Sequence, residues 1–140
     1  MIRVVVDTSV FIRYLIRPSR AIRTLIEHLW IEGQVEIVTA PELLTELQDV
    51  LARESMRRFV QPSEAKVLLD ALRQRATFLP ALGAIPPFTR DVKDDKFVAC
   101  AIIGQASYLI STDQDILTLN AVSGITCVTP EQFLAKIEVS

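Results

Sequence analysis

The apolar positions of this chain change rhythm repeatedly, from short β-branched runs to stripes spaced three and four residues apart. Residues 2–6, Ile-Arg-Val-Val-Val, run straight into Asp7, which predicts a buried strand, central and parallel. Thr8 and Ser9 open an apolar helix to about residue 16, which Pro18 and Ser19 break. Ile22, Leu25, Ile26 and Leu29 share one face of a helix over 20–32, and Gly33 is placed to stop it. A second strand is predicted at 35–38. Pro41 then starts a helix with the stripe Leu43, Leu44, Leu47, Val50 and Leu51.

The rhythm is interrupted at 53–61 by a charged connection. Pro62-Ser63-Glu64 opens a further helix to about Arg75, and Thr77 to Leu79 reads as a third strand. Residues 80–90 carry Pro80, Gly83, Pro86 and Pro87 and read as a loop. Lys96 to Ile103 is almost wholly apolar; its two alanines and acidic start favour a buried helix over a strand. Tyr108-Leu109-Ile110 is a strand ending in Ser111-Thr112-Asp113. A short helix to about Leu119, a strand at 125–128 and a helix from Pro130 complete the chain. Alternating strands and helices predict an α/β fold, a three-layer sandwich around a mostly parallel central sheet, with residues 1–140 as a single domain.

Composition narrows the function classes. Half of the 140 residues are hydrophobic, so a packed interior is expected and disorder is not. No apolar run approaches the ~20 residues of a membrane span, and the start has no signal-peptide layout. We expect a soluble, cytoplasmic protein without membrane association. Cys100 and Cys127 lie in apolar surroundings and read as buried thiols. A single histidine, His28, is too little for a zinc site built on histidine and cysteine. A Ser-His-Asp triad would have to use His28, and there is no G-x-S-x-G turn.

The net charge is −2, but it is unevenly spread: residues 1–90 hold twelve basic and ten acidic side chains, residues 91–140 three and seven. All eleven arginines lie at or before Arg90. Arginine is suited to bidentate contact with phosphate. Arg13 and Arg17, four apart on the first helix, are therefore candidate substrate-binding residues, with Arg20, Arg23, Arg53, Arg57 and Arg58 behind them. For any one of them a solvated basic face is the plainer reading.

In parallel sheets, ligands gather beyond the carboxyl ends of the strands. Asp7 ends the first strand, Asp113 follows a later one, Asp94 and Asp95 open a buried helix, and Glu46 lies on the helix after the second strand. Each has an ordinary reading: Asp94, Asp95 and Asp113 can cap helices, stabilising each by ~1 kcal/mol, and Glu46 can be a solvated helix residue. Asp7 resists that reading, because an ionised carboxylate behind three valines is costly to bury unless paired. Converging carboxylates repel one another and weaken a fold. Mg2+ or Mn2+, which prefer oxygen ligands, would reverse the balance and would serve phosphodiester hydrolysis.

Four stretches carry a family likeness: Val4-Val5-Val6-Asp7-Thr8-Ser9-Val10, Pro41-Glu42-Leu43-Leu44-Thr45-Glu46-Leu47, Asp91-Val92-Lys93-Asp94-Asp95-Lys96-Phe97-Val98 and Tyr108-Leu109-Ile110-Ser111-Thr112-Asp113-Gln114-Asp115-Ile116-Leu117. Their order and spacing resemble the PIN domain family, and most closely its VapC-like branch of toxin components in toxin–antitoxin pairs. The resemblance implies a metal-dependent endoribonuclease acting on single-stranded RNA, a homodimer, and a small antitoxin protein as partner. It implies Asp7, Glu46, Asp94 and Asp113 as the catalytic acids, with Asp7, Asp94, Asp113 and Asp115 around one or two Mg2+ or Mn2+ ions. Asp91 matches the first aspartate of its motif and is a secondary candidate. Asp94 is preferred to Asp95, which stays open as an alternative.

Two positions depart from the pattern. Ser9 stands where the family often has asparagine, and its hydroxyl can still donate a hydrogen bond to a carboxylate or a phosphate. Thr112 stands where the family often has glycine. Threonine tolerates positive φ poorly, so a different turn is expected there.

Rival readings differ in chemistry. A degenerate PIN fold would bind RNA or a protein without cutting, and retention of all four acids argues against it. A dehalogenase-type phosphatase needs Asp-x-Asp after its first strand, where this chain has Ser9. A phospho-receiver module needs a lysine after a late strand, and none is convincing.

Overall fold

The computed structural model describes residues 1–138. A six-stranded sheet has the order β3-β2-β1-β4-β6-β5, with β1 (Ile2–Val6), β2 (Val35–Thr39), β3 (Thr77–Phe78), β4 (Tyr108–Ile110), β5 (Ala121–Val122) and β6 (Ile125–Val128). Every neighbouring pair is parallel except β5 and β6. The side chains of β1 alternate between two separate apolar interiors: Val4 and Val6 pack on one face, Val5 on the other. The same division sends Ile110 and Val128 to the first face, Leu109 and Cys127 to the second. A sheet covered on both sides explains why its central strands read as unbroken apolar runs.

Helices α1 (Thr8–Ile16), α2 (Arg20–Arg23), α4 (Pro62–Arg75) and α7 (Pro130–Glu138) cover the first face. Helix α5 (Asp95–Ile103) and the short α6 (Gln114–Leu117) cover the second. Helix α3 (Pro41–Leu51) sends Leu47 and Leu51 to the first interior and Leu43 to the second. Helix α5 is buried along most of its length, as its alanine-rich apolar run predicts. Both cysteines are buried free thiols, and burial pushes Cys100 up to about 12.

The structure departs from the sequence-based expectations in three places. The helix expected over 20–32 is α-helical only through Arg23 and continues as a π-helical segment over Thr24–Trp30. The wider turn brings Leu25, Ile26 and Trp30 all inward. The charged connection at 53–61 contains a 3-10 turn at Glu54–Arg58. Strand β5 was not expected; it is two residues long and pairs back on β6 through a turn in which Ser123 and Gly124 both have positive φ. No helix among the described residues is long and apolar enough to cross a membrane.

Candidate active site

The strand order reverses at β1, which has β2 on one side and β4 on the other. Chain leaving β1 and chain leaving β4 therefore diverge around a crevice at their carboxyl ends. Asp7 follows β1 directly and caps α1; Asp113 lies three residues beyond β4 and caps α6, accepting from the Asp115 amide at 2.9 Å. From the second face, a 3-10 turn at Val92–Asp94 leads into α5 and presents Asp94.

Asp7 is buried, with 4% of its surface exposed. Its Oδ2 accepts from the Ser111 hydroxyl at 2.6 Å and the Ser9 hydroxyl at 3.0 Å. The Ser9 hydroxyl accepts in turn from Thr112 Oγ1 at 2.8 Å, so the two residues after β4 and the start of α1 are tied across the crevice. Ser111 also accepts from the Asp113 amide at 2.9 Å. Burial raises the Asp7 carboxyl above its usual range, and Asp113 adds repulsion, against the lowering effect of the serine donors. Ser111 was not singled out from the sequence, although its place between a buried strand and Asp113 is the signal that could have found it. Thr112 does not take the positive φ that glycine would allow, so this turn is built by hydroxyl bridging.

Asp94 and its neighbour Asp95 are both buried and differ in their hydrogen bonding. Asp94 Oδ2 is buried without a hydrogen-bond partner. Burial first, then the charges of Asp113, Asp7 and Asp91, push the Asp94 carboxyl up to about 7. Asp95 Oδ1 accepts from the amides of Phe88 and Thr89 at 3.0 and 2.7 Å and from the Thr89 hydroxyl at 2.9 Å. Burial alone would raise Asp95, but these three donors outweigh it and hold the carboxyl below its usual range. Asp95 thus anchors the 80–90 loop, while Asp94 faces the other acids.

Asp91, Asp94 and Asp115 can each place one carboxylate oxygen within 4.8 Å of the others, close enough to share an ion. Asp91 also accepts from the Lys93 amide at 3.0 Å, and Asp115 is paired with Arg90 at 3.0 Å. Glu46 stands apart from this group in its bonding: Thr8 Oγ1 donates to its Oε2 at 2.5 Å, and Lys96 Nζ lies 2.7 Å from its Oε1. Glu42, one turn earlier on α3, accepts from the Leu82 amide at 2.7 Å and secures the other end of the 80–90 loop, with its Oε1 buried and unpartnered.

Arg13 and Arg17 lie toward the end of α1 remote from Asp7. Helix α1 starts at Asp7 and runs away from the crevice, and Arg17 caps its far end, about 15 Å along the axis at ~1.5 Å per residue. Arg13 is exposed in the last turn of the same helix. Arg13 and Arg17 are thus substrate-binding candidates away from the acids, and Arg90, on the loop, pairs directly with Asp115 at 3.0 Å.

Residues 3–115 match the family model described as PIN domain. The chain belongs to the PIN domain family. PIN domains are generally nucleases, and a cluster of three acids, Asp91, Asp94 and Asp115, is present here. The chain is also similar in fold to solved structures. A chain of VapBC2 from Rickettsia felis, bound to a DNA fragment from its promoter, superposes with a TM-score of 0.60 at 13% identity, covering 90% of this chain and 97% of that one. PAE2754 from Pyrobaculum aerophilum gives 0.54 at 17% identity over 99% and 91%. The PIN domain of human SMG5 gives 0.52 at 11% identity over 96% and 98%. Among curated proteins, none matches the chain in sequence.

Proposed function

We propose that this PIN domain is a metal-dependent endoribonuclease that hydrolyses phosphodiester bonds of single-stranded RNA. The observation that carries the reading is the buried, unpartnered Oδ2 of Asp94, held among Asp7, Asp113 and Asp91. A protein oxygen shielded from water and surrounded by like charge is costly, and a hard divalent ion offsets that cost. The donor set is all carboxylate, which suits Mg2+ or Mn2+ and not a soft metal. Asp94 would hold the ion with Asp7 and Asp113, whose charges act on it, and Asp91 and Asp115, whose oxygens lie within 4.8 Å of it and of each other, would complete the ligand set.

A divalent ion there supplies Lewis-acid polarisation of the phosphodiester and offsets the charge that builds on phosphorus during in-line attack by water. The protein's own contribution is positional. Ser9 and Ser111 fix the Asp7 carboxylate in one orientation, and Thr112 fixes Ser9. These hydroxyls are committed to that network, which leaves water as the nucleophile. The test is single-turnover RNA cleavage with and without Mg2+, for the wild type and Asp7→Asn. Wild-type cleavage that needs Mg2+ and is lost in the variant is expected; equal, EDTA-resistant rates would reject the reading.

The fold likeness to a chain of VapBC2 supports placing this nuclease in a toxin–antitoxin pair, acting in the cytoplasm as a homodimer with a small antitoxin protein. An apolar groove of about 620 Å³ between α1, the π-helical segment and α4, lined by Leu15, Ile26, Trp30 and Val67 with Arg23 at its rim, supports a seat for an amphipathic segment of that partner. Copurification of the chain with the product of an adjacent gene, and its loss with Val67→Glu, would check this.

A further inference from the structure

The bonding of Glu46 separates it from the other acids. Both of its oxygens are already taken by this chain's own donors, Thr8 on one side and the Lys96 ammonium on the other. Lys96 is also held by the Lys93 carbonyl at 2.8 Å, and its ammonium lies 5.5 Å from the Phe97 ring centroid. Only 18% of its side chain is exposed. An ordinary surface lysine is a mobile point charge; this one is fixed, two residues from Asp94. Its ammonium has three N–H donors. Glu46 and Lys93 use two, and Lys96 lines an open groove of about 560 Å³ whose charged side chains are Glu42, Glu46, Asp49, Arg53, Lys93 and Lys96 itself.

We propose that Lys96, set in place by Glu46, is a substrate-binding cation that takes a phosphate oxygen of the RNA beside the metal centre. Glu46 is then a positioning residue that acts through Lys96 and not a ligand of the ion. The inference rests on the nuclease reading above and divides the acids into two functions: Asp7, Asp94 and Asp113 for the ion, Glu46 for the lysine. Thr8 follows Asp7 directly and its hydroxyl holds Glu46, so the Glu46–Lys96 pair is tied to the strand end that carries Asp7. The two functions are therefore held in fixed relation by α1 and α5.

The experiment combines Mn2+ calorimetry on the purified full chain with binding of a fluorescein-labelled, mixed-sequence single-stranded RNA in EDTA. The variants are Asp94→Asn, Glu46→Gln, Lys96→Gln and Lys96→Arg. Glu46→Gln and Lys96→Gln should keep Mn2+ affinity within about threefold, while Asp94→Asn loses it. Lys96→Gln should weaken RNA binding about tenfold and reduce the slope of log K against log salt by about 0.7. Lys96→Arg should restore part of that loss, and Glu46→Gln should weaken RNA binding less than Lys96→Gln. Loss of Mn2+ binding in Glu46→Gln as in Asp94→Asn makes Glu46 a ligand and overturns the proposal alone. Unchanged RNA binding in Lys96→Gln also overturns it. A wild type that binds no Mn2+ sinks the metal reading and this inference with it.

Discussion

Asp94 and Asp95 are adjacent, similarly buried and chemically identical, yet they belong to two regions built on opposite terms. Around Asp95 the protein supplies every donor the carboxylate needs: two amides and a hydroxyl from the 88–89 segment. Around Asp94 it supplies more acids and leaves an oxygen bare. The donors that Asp95 Oδ1 meets all come from the polypeptide. The crevice is complete only when something cationic enters it. Polar satisfaction inside proteins is the rule, so the exception locates function more sharply than the mere presence of an acid.

Swapping the chemistry at the two positions should give opposite results. Asp94→Asn should slow single-turnover RNA cleavage in Mg2+ at least about a thousandfold, equivalent to ~4 kcal/mol of barrier, in a protein that unfolds no more readily than the wild type. Asp95→Ala should do the reverse in kind: it strands two half-buried amides and a hydroxyl, costing about 3 kcal/mol. Thermal unfolding should register a drop of roughly 10 °C for a chain of this size. A stable Asp95→Ala would show that the loop is not held as described.

A smaller effect comes from protons. Asp7 and Asp94 are both raised on folding, so the folded, metal-free chain binds more protons than the unfolded chain once the pH exceeds the ordinary aspartate value. Stability must then fall as pH rises from about 4 through about 7, where Asp94 titrates. Differential scanning calorimetry in EDTA should show a decline of order 5 °C across that window. The decline should be reduced in Asp94→Asn and offset by excess Mn2+, which adds stability through binding to the folded state. A metal-free melting temperature that rises through the same window would contradict the unsatisfied crevice.

Much of this was legible in the chain. The valine run before Asp7 announced a strand buried on both faces, and the alternation of periods announced the layered α/β arrangement. Asp7, Asp94 and Asp113 could be picked out because each sits where a strand ends or a buried helix begins, positions that parallel sheets bring together. What escaped the sequence is what depends on side-chain partners remote in the chain. Glu46 and Lys96 are fifty residues apart, and Lys96 read only as the edge of an apolar segment. Arg90 and Asp115 meet through a loop whose path no local rule fixes. The choice between Asp94 and Asp95 rested on family likeness; the difference in their hydrogen bonding comes from the fold of the 80–90 loop. Strand β5 is too short for a two-residue period to register, and the π-helical segment has the same apolar stripe as an ordinary helix.

Both outer strands of the sheet are only two residues long, and β5 runs against its neighbour. Such stubs give another chain almost no backbone to zip onto. Among the described residues, the sheet edges therefore offer another strand little backbone to extend, and the strands that aim the acids stay interior to the sheet.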